Sequence, residues 1–126
     1  MNQERFAERM WKALLGELYE EKIVSTFKGR EAFQVVSFSD EGIVVRLTSK
    51  DKEVFLSKTA MMNAIRKLIA YEDGVRQKMV DPESRLKLGL LSLLPWTEKI
   101  KRLEDGKNIS YLLLTAEARE QLAAGE

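Results

Sequence analysis

Residues 22–57 read KIVSTFKGREAFQVVSFSDEGIVVRLTSKDKEVFLS. β-Branched and aromatic residues are concentrated in four short runs, and turn-forming residues separate these runs at 28–30, 39–42 and 49–52. Strands this short, with turns this close together, indicate an antiparallel meander. A sheet of this size needs a helix on one face to be stable. The sequence on either side of the meander must therefore supply that helix.

Helical periodicity is present on both sides of the meander. Residues 2–20 place apolar side chains every four positions, at Phe6, Met10, Leu14 and Leu18, and Asn2 is a candidate N-cap. We interpret this segment as a docking helix, with a dimerisation helix as the alternative; either this helix or the one at 59–72 can cover the sheet. Residues 59–72 carry a second apolar stripe, with Gly74 as the predicted C′ residue. Gly16 and Gly89, inside predicted helices, indicate close helix crossings.

The C-terminal half continues with alternating helices and strands. A brief helix is predicted at 75–80. Asp81 as N-cap and Pro82 as the first helical residue then predict a helix over 84–94 that stops at Pro95. A hairpin over 97–103 and 108–114 leads to a final helix over 116–124, capped by Thr115. We therefore predict an α+β protein, in which an N-terminal helix and a small antiparallel meander (1–56) pack on a second unit (57–126).

The end of the chain resembles a known family. Residues 111–122, YLLLTAEAREQL, are similar to the last wing strand and following helix of winged-helix DNA-binding regulators, with Ala118 at a usual glycine and Tyr111 one residue further from the threonine. The resemblance covers about residues 57–125 and implies a recognition helix at 82–94 and a wing at 98–114. The whole chain, with a helix that ends in Leu-Leu-Pro, also resembles accessory modules of prokaryotic phage-defence and mobile-element proteins.

The composition excludes most catalytic designs. The 126 residues include no Cys and no His, so thiolate nucleophiles, imidazole bases and the usual zinc sites are excluded. A carboxylate-only magnesium or calcium site would remain chemically feasible, but we expect no metal, no cofactor and no enzymatic activity. Glu20-Glu21-Lys22 contains the only Glu-x-Lys motif, and it precedes the first strand, which argues against a nuclease. A charged N-terminus and a longest apolar run at 88–96 predict a cytoplasmic protein without a membrane span.

Local charge predicts a nucleic-acid partner even though the net charge is only +1. Residues 76–107 carry eight basic residues against five acidic ones, as phosphate contacts require. We predict binding to double-stranded DNA, as a small transcription regulator or accessory factor. The candidate binding residues are Ser84, Arg85, Lys87, Lys99, Lys101, Arg102, Lys107 and Asn108. The leucine-rich helix 82–94 favours an alternative, a protein-interaction adaptor or inhibitor (or a homodimer) that uses an apolar face. A ligand-gated regulator is a third hypothesis.

Overall fold

A computed structural model describes residues 2–124 of the protein. Its helices and strands follow one another as α1 (Gln3–Glu17), β1 (Ile23–Ser25), β2 (Ala32–Ser39), β3 (Gly42–Leu47), β4 (Lys52–Ser57), α2 (Lys58–Ala70), a 3₁₀ helix (Gln77–Met79), α3 (Ser84–Leu91), β5 (Thr97–Glu104), β6 (Lys107–Leu114) and α4 (Ala116–Ala124). The predicted α+β class is confirmed. The junction of the two predicted units falls where β4 ends and α2 begins, and one buried cluster contains residues from both sides of it.

The first four strands form the predicted antiparallel meander, in the order β1-β2-β3-β4. Alternate residues of each strand face the core, as in the facing pairs Val35–Val45 and Ile43–Leu56. The pairing register shifts between Val35 and Ser37, so β2 has a bulge there. The opposite face of the sheet exposes Phe55.

Helix α1 packs on the core, chiefly against α2, which confirms the docking interpretation. Asn2 caps it, because its Oδ1 accepts the Arg5 backbone N–H at 2.8 Å. The buried Trp11 donates its indole N–H to Asp40 at 2.9 Å and so ties α1 to the β2–β3 turn. This hydrogen bond holds the pKa of Asp40 below its usual range. Helix α1 is thus fixed to the end of the sheet at which β2 turns into β3.

Helix α3 lies in the middle of the protein and is buried nearly all round. Its close approach to β1 depends on Gly89, where an added Cβ would come within 2.6 Å of the Ser25 carbonyl oxygen. The close crossing predicted at Gly89 is confirmed, although its partner is a strand. The crossing predicted at Gly16 is wrong, because nothing lies within 4 Å of a Cβ built there.

Three predicted helix boundaries are also wrong. Glu83, at φ 59°, is the N-cap of α3, so Asp81 and Pro82 lie before the helix and neither caps it nor begins it. The helix ends at Leu91 instead of residue 94. Gly74 is not the C′ residue, because α2 is already closed by Tyr71. The Thr115 cap is confirmed, since its Oγ1 accepts the Ala118 N–H at 3.1 Å.

Strands β5 and β6 form the predicted hairpin, and Val75 extends it on the β6 side. The Val75 N–H donates to the Leu112 carbonyl at 2.8 Å, and the Leu112 N–H donates back at 2.9 Å. Only the 3₁₀ helix, at 77–79, is helical in the region where a brief helix was predicted. No helix within residues 2–124 has both the length and the apolar character needed to cross a membrane.

Candidate nucleic-acid interface

The hairpin has two chemically different faces. Facing residues of antiparallel strands share a face, and Lys101 faces Ser110 while Arg102 faces Ile109. Lys99, Lys101 and Asn108 therefore share one face with Ser110. Arg102 and Lys107 belong to the other face, where the Arg102 guanidinium stacks 4.4 Å from the centre of the Tyr111 ring. The register thus divides the basic wing residues predicted from the sequence.

The first of these faces borders a groove, which we call the basic groove. Three depressions of about 340, 300 and 250 Å³ adjoin one another and share Lys28 in the β1–β2 turn. The hairpin, the β1–β2 turn, the 3₁₀ segment and the start of α3 supply its walls. Seven basic residues line it, namely Lys28, Arg30, Arg76, Lys78, Arg85, Lys99 and Lys101. The acidic lining residues are Glu31 and Asp81, and Gln77, Asn108 and Ser110 are among the neutral ones.

The β1–β2 turn is held rigidly against the hairpin and α3. Gly29 adopts a φ of 74°, which a turn this tight requires of glycine. The Phe27 N–H donates to the Arg85 carbonyl at 3.0 Å, which ties the turn to α3. The Lys99 ammonium donates to the Phe27 carbonyl and lies 4.9 Å from the centre of the Phe27 ring. Lys99 therefore joins the hairpin to the turn that carries Lys28 and Arg30.

Most cations of the basic groove lack an acidic partner. Within residues 2–124, no ion pair to a carboxylate is found for Lys28, Arg30, Lys78 or Lys101. Arg76 lies 4.0 Å from Glu104, at the limit of an ion pair. Seven basic and two acidic residues line this surface, whereas the whole chain carries a net charge of only +1, so positive charge is concentrated in the groove.

Arg85 forms a closer ion pair than Arg76 does. Its Nη1 donates to Glu31 at 2.8 Å, and the other carboxylate oxygen of Glu31 accepts the Ser49 hydroxyl at 3.1 Å. About one third of each side chain of the pair is exposed, at 35% and 33%. Glu31 thus occupies, inside the groove, the position that an anionic ligand of Arg85 would take.

The structure brings together five of the eight residues predicted as the binding site. Arg85, Lys99, Lys101 and Asn108 line the basic groove, together with the nearly buried Ser84, which is 7% exposed. The other three, Lys87, Arg102 and Lys107, lie outside the groove. Lys87 is only 6% exposed and donates to the Val80 carbonyl, which removes it from the surface of the predicted recognition helix.

Four basic lining residues were missed from the sequence: Lys28, Arg30, Arg76 and Lys78. The Lys-Gly-Arg turn at 28–30 and the pair at 76 and 78 are visible signals. That these residues share one surface depends on contacts between distant segments, such as that between Phe27 and Lys99.

Comparisons with protein families, with curated proteins and with solved structures find no match to this chain. In the part of the chain that the structure describes, no three Asp or Glu side chains are grouped as a metal site would require.

Proposed function

We propose that the protein is a non-enzymatic DNA-binding module, a small cytoplasmic regulator or accessory factor, that binds the phosphate backbone of a duplex along the basic groove. One observation carries the proposal: seven basic side chains from separate segments line a single groove on an almost neutral chain. Clustered cations of this kind provide the main, salt-sensitive part of DNA affinity.

The arrangement of the second half supports a winged-helix interpretation of this site. Val75, β6 and β5 form a small antiparallel sheet beside α2, the 3₁₀ helix and α3, with the hairpin in the position of a wing. Lys101 projects from that wing into the groove. Helix α3 contributes Arg85, while its leucines pack in the core. We propose that α3 serves as the scaffold of the interface and that the wing and the β1–β2 turn make the phosphate contacts.

Salt dependence provides a quantitative test. If Lys28, Arg30, Lys78 and Lys101 each neutralise one phosphate, the logarithm of the binding constant should fall with the logarithm of salt concentration with a slope of about −3.6. Reversing Lys28 and Lys101 to Glu should reduce the slope by about 1.8 and weaken binding to every duplex sequence. Fluorescence anisotropy with a labelled duplex over a salt series measures both quantities.

Lys12→Glu is the matched control. Lys12 is exposed on α1 and lowers the pKa of Asp40, so it lies near the β2–β3 turn, at the opposite end of the sheet from Lys28. This reversal should leave the slope unchanged. The proposal fails if the unmodified chain shows no salt-sensitive duplex binding at low ionic strength. It also fails if Lys12→Glu reduces binding as much as the groove reversals do.

A protein-interaction adaptor is the second candidate. Its original basis was an apolar face of α3, but Leu88 and its neighbours are buried inside the protein. A different surface favours the adaptor hypothesis. The outer face of the meander exposes the apolar side chains of Ile23 and Phe55, to 58% and 60%. If this face joins two copies, Phe55→Ser should abolish concentration-dependent self-association in sedimentation equilibrium without reducing duplex binding. A monomeric unmodified chain at high concentration would exclude the homodimer.

A further inference from the structure

A second depression, of about 460 Å³, lies between α2 and the segment that leads into α3. We call it the α2–α3 pocket. Among its lining residues, only Asp81 also lines the basic groove. Its walls combine a small apolar surface with polar side chains, and the full lining is Ala60, Asn63, Ala64, Arg66, Lys67, Val80, Asp81, Pro82 and Lys87. The pocket is therefore a separate site on the chain.

The unusual group in this pocket is the ammonium of Lys87. The residue is only 6% exposed, and within residues 2–124 the one hydrogen bond of its ammonium goes to the Val80 carbonyl, at 3.1 Å. No carboxylate of the described chain lies within ion-pair distance of it. Burial lowers the pKa of Lys87, against the opposing influence of Asp81 and Glu83. A buried cation with so little compensation is costly unless an anion joins it.

The remaining charges of the pocket favour one negative charge on a ligand. Arg66 is already neutralised, because its guanidinium binds the Glu4 carboxylate and the Asn63 side-chain oxygen. Lys67 donates to the Met79 carbonyl and has no ion pair within the described residues. Among the residues that line the pocket, Lys67 and Lys87 together exceed Asp81 by one positive charge, which a monoanion balances and a dianion would overcompensate. Glu83 also acts on Lys87 but does not line the pocket.

The apolar part of the lining favours an organic ligand over an inorganic ion. Ala60, Ala64, Val80 and Pro82 offer small side chains without hydrogen-bonding groups. A short hydrocarbon chain can bury apolar surface against them, which inorganic phosphate cannot do. Charge and shape thus select the same chemical class, a carboxylate with a short aliphatic tail.

We propose that the α2–α3 pocket binds a short-chain carboxylate, whose oxygens accept hydrogen bonds from the ammonium groups of Lys67 and Lys87 while its tail packs on the alanines of α2. The site is independent of duplex binding in the basic groove, so either proposal can fail while the other holds.

Butyrate is the probe, at constant ionic strength and without DNA, with inorganic phosphate as the competing anion. Butyrate should shift the backbone amide NMR signals of Asn63 and Lys87 saturably, and it should raise the melting temperature with concentration. Lys87→Met removes one charge-assisted hydrogen bond at nearly equal side-chain length, so butyrate affinity should fall about tenfold or more. Lys78→Met is the matched control, because Lys78 lines the basic groove and not the pocket. This variant should bind butyrate with the same affinity as the unmodified chain.

Lys67→Met provides a second variant on an exposed side chain, so a folding defect in Lys87→Met leaves the test intact. It should weaken butyrate binding as well. The proposal is overturned if butyrate causes no saturable shift in the unmodified chain. It is also overturned if both pocket variants bind butyrate as well as Lys78→Met does, or if phosphate binds as tightly as butyrate.

Discussion

Glu31→Gln should strengthen duplex binding, although it removes an ion pair from the folded protein. Glu31 is one of only two acidic residues that line the basic groove, and it holds the guanidinium of Arg85 at 2.8 Å. A phosphate that approaches Arg85 must compete with this carboxylate. Glutamine has nearly the same shape and retains an oxygen for the Ser49 hydroxyl, but it does not neutralise Arg85.

The size of the effect follows from the groove's charges. If release of Arg85 adds one phosphate contact, the salt slope becomes steeper by about 0.9, which corresponds to roughly eightfold tighter binding at 0.1 M salt. The cost to the free protein is small, because both partners of the Arg85–Glu31 pair are about one third exposed. Pairs exposed to this degree contribute at most about 1 kcal/mol to the free energy of unfolding. Affinity should therefore rise while stability falls slightly.

Anisotropy titrations over a salt series, together with urea unfolding, measure affinity, slope and stability in the same samples. Glu53→Gln is the matched control, because Glu53 pairs with Arg46 at 2.6 Å and does not line the groove. That variant should change the slope by much less. Equal affinities and slopes for Glu31→Gln and the unmodified protein would refute the assignment of Arg85 to the phosphate surface.

Four further outcomes test the fold and the charges. Leu14→Ala should lower the free energy of unfolding by roughly 2–5 kcal/mol, since Leu14 is fully buried. If the variant instead keeps full stability in urea but loses self-association, α1 belongs to an oligomer interface. Gly89→Ala should lower the free energy of unfolding by about 1–3 kcal/mol, because the Ser25 carbonyl is part of the backbone and cannot move away from the added Cβ. A variant more stable than the unmodified chain, as helix propensity alone would give, would contradict the close contact. EDTA should leave the melting temperature unchanged, and a clear drop would reveal a carboxylate metal site. Lys87→Met should be more stable than the unmodified chain at neutral pH, and this difference should shrink as pH rises toward the usual lysine pKa. Between the lowered pKa of the folded state and the usual value, the unfolded chain binds the extra proton, so the unmodified protein becomes more stable as pH rises. A pH-independent difference in urea midpoints would argue against this.

The four strands of the meander could be predicted, because their signals are local, although the bulge in β2 could not. The turns at 28–30, 39–42 and 49–52 separate runs of strand-forming residues, and the strands of the structure overlap these turns only at Ser39, Gly42 and Lys52. The caps at Asn2 and Thr115 were equally predictable, since each depends on one side-chain oxygen and an N–H group three residues further along.

The start of α3 could not be predicted, because the structure does not follow the local signal at Asp81 and Pro82. Asp81 and Pro82 are a favourable cap and first residue by composition. In the structure they line the α2–α3 pocket, and Glu83 takes a left-handed backbone conformation before the helix begins. The choice among cap positions depends on how α3 must enter the core between α2 and β1.

The basic groove could be predicted only in part, because it also depends on contacts between distant segments. Lys99 and Lys101 were identified as wing residues, and strand alternation alone predicts that they share a face. Their neighbours Lys28 and Arg30 come from a turn about 70 residues earlier in the chain. Only the docking of that turn on the hairpin, through Phe27 and Lys99, brings the two basic sets together.

The burial of α3 also determines what kind of DNA binding the groove can support. Base discrimination in the major groove requires several hydrogen-bonding side chains on a surface that can enter it. Helix α3 offers only Arg85 as an exposed polar side chain in its first turn, because Ser84 and Lys87 are buried. The groove lining is mostly cationic, and cations on flexible stems bind phosphates without reading bases. On the proposed function, the protein should therefore bind duplexes with weak sequence preference, and any preference should depend on Arg85 and on Asn108.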